Sequence, residues 1–95
     1  MEATVLMSTL SLIPPWVDQP MVAATAVTDL LWPHTTPADG VQHMYARPGA
    51  GGIDVAIFTL AVDQSVADIT AYVVCLRALD RIPALRSWQV LRRSR

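Results

Sequence analysis

Lysine is absent from this chain, and cysteine occurs once, at Cys75. A single thiol permits no disulfide within the chain and no cysteine-rich zinc site, which excludes stapled scaffolds and zinc modules; a cytoplasmic setting is expected. Charge is also scarce. Only 16% of residues carry it and the formal total is -1, so nothing draws the molecule as a whole to a polyanion. Apolar runs stop short of the roughly 20 residues that a membrane-crossing helix needs, so no membrane span is expected. The apolar start and the triplet Ala24-Thr25-Ala26 are reminiscent of a secretory leader, but Glu2 stands where such a leader is positive, so none is expected.

Catalytic signatures are missing as well. The glycines at 49, 51 and 52 are not followed by the Gly-Lys-Ser/Thr that a phosphate loop uses. Ser8, Ser65 and Ser87 lie in no nucleophile elbow, and Cys75 has neither a CxxC partner nor an adjacent histidine. His34 and His43 have no carboxylate pair at metal spacing nearby. No cofactor or metal is expected.

What is present is organised around residues 53–82. Residues 53–61 form an apolar run rich in Ile, Val and Phe after Pro48, Gly49, Gly51 and Gly52, and read as a buried strand. A helix follows, with Ser65 as its expected N-cap, Asp68 at the positive end of its dipole and Pro83 as its stop. Val66, Ile69, Val73 and Leu76 follow the helical repeat, flanked by Tyr72 and Leu79, and are expected to face inward. Ala67, Ala71, Val74 and Ala78 form a second apolar row, which with Arg77 and Arg81 is a candidate partner surface.

Upstream, residues 4–13 read as a strand apolar on both faces, with Leu6, Leu10 and Leu12 on one side and Val5, Met7 and Ile13 on the other. Pro14 and Pro15 stop it. Residues 21–32 read as a helix capped by Asp18, with Pro20 in its first turn, and burying Ala23, Ala26, Val27, Leu30 and Leu31. A polar loop over 33–40 leads to an alternating strand over 41–47, joined to the next strand by a glycine-rich hairpin whose glycines permit positive φ angles. Residues 87–91, with Trp88 and Val90 alternating, read as a last strand.

The order strand, helix, strand, strand, helix, strand resembles the ferredoxin-like βαββαβ sandwich, an α+β fold with two helices on one face of a four-stranded antiparallel sheet. That resemblance implies one domain over residues 1–91 and a short basic tail over 92–95. It puts the first and third strands in the centre, and these are the more apolar pair: their one charge is Asp54, while the second and fourth strands hold Gln42, His43, Arg47, Gln89 and Arg92. Because the central pair is apolar on both faces, the second sheet face needs a cover: a second copy or a partner domain. Met7 and Phe58 are the candidate contacts there.

Three functions compete on this reading. The first is a small non-catalytic association module, acting as homo-oligomer or protein partner. The second is a dimeric α/β-barrel-type enzyme or small-ligand binder using His43 and Tyr45, which lie two apart and so project from one sheet face, His43 serving as acid or base. The third is a nucleic-acid accessory protein using the C-terminal arginines Arg77, Arg81, Arg86, Arg92, Arg93 and Arg95. It ranks last, because no aromatic interleaving accompanies them. Residues 1–69 carry seven acids against one arginine, net -6, while residues 70–95 carry six arginines against Asp80, net +5, so the two halves can neutralise each other. The residue usage has the stamp of a GC-rich bacterial coding bias.

Overall fold

Strand alternation sets the frame. In the computed structural model, which describes residues 2–15 and 23–92, β1 (Thr4–Ile13) sends Ser8, Leu10 and Leu12 to one side, where they are buried, and Val5, Met7 and Thr9 to the other. It pairs antiparallel with β3 (Ile53–Ala61), Leu10 opposite Val55 and Leu12 opposite Ile53, so large aliphatic side chains meet across the ladder on the buried side. β2 (Val41–Pro48) flanks β3, and β4 (Gln89–Arg92) flanks β1. The result is a four-stranded antiparallel sheet of order β2-β3-β1-β4, an α+β architecture with β1 and β3 in its centre.

Two helices complete it. The first, α1 (Ala24–Leu31), buries Val27 and Leu31, while Leu30 is partly buried and Ala23, just before it, is exposed. The expected cap at Asp18 and Pro20 falls outside the described residues. Two 3-10 turns, Trp32–His34 and Pro37–Asp39, occupy the expected loop. The second helix, α2 (Gln64–Arg81), packs Ala71, Cys75, Ala78 and Leu79 into the same core as Val27, Leu31, Leu10, Val55 and Ile57. Its cap is Asp63 and not Ser65: the Asp63 Oδ1 accepts from the Val66 amide at 2.9 Å, so the helix begins two residues earlier than a Ser65 cap allows. It ends at Arg81 because Pro83 disfavours helical φ/ψ at Ile82.

The faces of α2 are the reverse of those expected. Ala67, Ala71, Val74 and Ala78 are 0% exposed, whereas Val66, Ile69, Val73 and Leu76 are 42–53% exposed. The sheet side already supplies bulky Leu10, Leu12, Val55 and Ile57, so a close approach of the helix favours small side chains along most of its inner row. Ala67, Ala71, Val74 and Ala78 are therefore core residues, out of reach of any partner.

The hairpin between β2 and β3 forms as expected, with the Gly49 amide donating to the Gly52 carbonyl at 2.8 Å, but without positive φ at its glycines. Among the described residues that conformation occurs at Gly40 (φ 73°), whose carbonyl accepts from the Leu60 amide at 2.9 Å beside a bulge in β2. Gly52 is needed for a different reason: a Cβ there would strike the Leu12 carbonyl oxygen. β4 starts two residues later than expected and runs through Arg92, so Arg92 belongs to the sheet and not to a tail; residues 93–95 lie outside the described residues.

Candidate functional site

The sheet face turned away from the helices is built by alternation on all four strands. Register places Val5 opposite Leu60, Met7 opposite Phe58, Tyr45 opposite Ala56 and Arg47 opposite Asp54, all on this face, with Leu91 added from β4 opposite Ser11. Val5, Met7, Tyr45, Leu60 and Leu91 are 46–52% exposed, an unusual load of large apolar side chains for one side of so small a sheet. The Ser11 hydroxyl donates to the Asp54 carboxylate at 3.0 Å, which settles that charge at one end of the face.

His43 and Tyr45 do share this face, but they do not converge. The His43 ring leans on Phe58, centroids 5.6 Å apart and planes tilted by 45°. Tyr45 instead borders a half-open depression of about 280 Å³, with Met7, Thr9, Arg47, Asp54 and Ala56. The depression has one aromatic hydroxyl, one guanidinium and one carboxylate along its rim, none of them buried. Arg47 and Asp54 escaped the sequence reading because only the pairing register shows that they are neighbours.

Elsewhere, the candidate residues are engaged or inert. Arg77 donates to the Asp39 carboxylate at 2.9 Å and to the His34 carbonyl at 2.7 Å, pinning the 3-10 turns to α2. The guanidinium holds the Asp39 carboxyl below its ordinary value of 3.8. Arg81 is exposed. Arg92 lies over the Tyr72 ring at 4.6 Å, a cation–π contact on the helix side of the sheet, and so is not positioned as a free phosphate contact. Burial pushes the Cys75 thiol up to about 12, which leaves no thiolate for nucleophilic work near neutral pH. Asp68, on the first turns of α2, accepts from Ser8 at 2.7 Å and from Gln64 at 2.9 Å, a polar tie between α2 and β1.

Among the described residues no group of three or more His, Cys, Asp or Glu is arranged to hold a metal ion, and no helix is long and apolar enough to cross a membrane. In comparison with known proteins the chain matches no family model, no curated protein and no solved structure.

Proposed function

We propose that this chain is a small association module, one domain with a ferredoxin-like βαββαβ arrangement, whose open sheet face is covered by a second copy of itself. The observation that carries this reading is the row of exposed Val5, Met7, Tyr45, Leu60 and Leu91 on the uncovered face. With strands about 4.8 Å apart and about 3.3 Å per residue, four strands of roughly eight residues present a face near 19 by 26 Å, a planar area of about 500 Å² against the about 800 Å² per partner of a standard interface. The occupant that best fits is another copy, because the face combines a flat apolar middle with Arg47 and Asp54, charges of opposite sign that a twofold axis can set against each other. The net charge of -1 offers little repulsion to self-pairing.

Sedimentation velocity tests it. The wild-type chain should sediment as a dimer or larger at micromolar concentration, and Met7→Glu, which buries a charge at the centre of the proposed contact, should shift it toward smaller species without loss of helix signal in circular dichroism. A wild-type monomer at high concentration that binds no apolar dye overturns the proposal.

A further inference from the structure

One small residue shapes the depression on the open sheet face. Ala56 lies between Thr9 on β1 and Tyr45 on β2, its partners across the two ladders, and a lone methyl group among larger neighbours leaves a dip of about 280 Å³. Pockets for drug-sized ligands run to about 300–1,000 Å³, so this one takes a smaller molecule. The register arranges its lining in rows: Met7 at one end, Thr9, Ala56 and Tyr45 in the middle, Asp54 and Arg47 at the other end. Successive rows lie two residues of strand apart, about 6.6 Å. The depression is therefore apolar at one end and doubly charged, with opposite signs side by side, at the other.

The charged end is positioned by its surroundings. The Ser11 hydroxyl donates to the Asp54 carboxylate at 3.0 Å, and Gly49 gives that carboxylate its room, since a Cβ there would strike its oxygens. An ionised carboxylate has about four acceptor positions, more than one hydroxyl takes up. Arg47, on the neighbouring strand, offers a planar fork of donors that suits a carboxylate.

We infer that this depression binds a free α-amino acid with an apolar side chain. Its carboxylate accepts from the Arg47 guanidinium, its ammonium donates to Asp54, and its side chain lies over Ala56, beside the Tyr45 ring and toward Met7. The order of charges selects this class. A plain carboxylate meets Asp54 and a plain amine meets Arg47, each a like charge, while a dipeptide carries its two charges too far apart for one row. Only a zwitterion on a single carbon answers both groups at once. The inference does not rest on the second-copy reading. Ligand and second copy compete for the same two charges, so each weakens the other.

Isothermal titration calorimetry of the full chain tests it. L-leucine or L-phenylalanine should bind at one per chain, with phenethylamine and 3-phenylpropanoate about tenfold or more weaker, the loss expected when a charge-assisted hydrogen bond is removed. Arg47→Gln, which removes the charge, and Ala56→Leu, which fills the dip from the exposed face, should each weaken binding by a similar factor with the circular dichroism spectrum retained. No binding of either amino acid at millimolar concentration would overturn the inference. So would equal binding of the amine or the acid, or affinity untouched by both substitutions. Leu91→Glu, on β4 and away from the depression, separates the ligand from assembly: it should lower the mass seen in sedimentation and bind the amino acid at least as tightly as wild type. Binding lost in that variant would overturn a site held within one chain. A wild type that is monomeric and binds the amino acid overturns the second-copy reading and leaves this one standing.

Discussion

Gly52 shows how narrow the tolerance of single positions is here. Its missing Cβ lets the chain pass the Leu12 carbonyl, so Gly52→Ala forces the hairpin away from β1. Chemical denaturation should show a loss above the roughly 1 kcal/mol of an average point substitution. Asp39 makes a prediction about pH. Its folded value is depressed below 3.8, so its contribution to stability is fully present above that value and is lost as pH falls through the lower, folded value. Asp39→Asn should therefore melt a few degrees below wild type at neutral pH, and the gap should close in acid. Cys75 should resist thiol reagents in the native protein and react on unfolding, because burial holds its thiol protonated.

At the scale of elements, α2 is the one whose orientation decides most. Ala71 sits at 0% exposure between helix and sheet, so Ala71→Leu overpacks the core and should cost about 1–3 kcal/mol. Leu76→Ala on the outer row should cost the monomer far less, since that side chain is 43% exposed. Denaturation midpoints of the two variants, compared at low protein concentration, check the assignment of faces. The strands were easier to read than this helix. β1 and β3 were bounded by Pro14 and by the turn before Ile53, signals local in sequence, whereas two apolar rows on one helix look alike until the facing sheet shows which has room.

For the molecule as a whole, the proposals predict association without polyanion binding. Arg92 is stacked on Tyr72 and Arg77 is paired with Asp39, so affinity for duplex DNA or RNA should be negligible at physiological salt. Tight binding that falls steeply with salt would favour the nucleic-acid alternative. Replacing His43 by Gln and Tyr45 by Phe should change stability or assembly by on the order of 1 kcal/mol, measured by denaturation and sedimentation, since neither side chain converges on a shared ligand position. The candidate surface was only partly legible in advance: Met7, Phe58, His43 and Tyr45 could be placed on a strand face by alternation, but Arg47 beside Asp54 and the outward row of α2 could not.

Periodicity, proline and glycine by themselves determined the number, order and approximate bounds of the strands and helices, because these are written in the period of the side chains and in backbone restrictions one or two residues long. Composition determined that no disulfide can form within the chain, and the double apolarity of residues 4–13 and 53–61 put large apolar side chains on both faces of the sheet. Only the tertiary structure decided that the alanine row turns inward and that Arg77 reaches across 38 residues to Asp39. Each of those depends on which surfaces meet and how much volume is left between them, a property of the packed pair that neither partner's sequence holds alone.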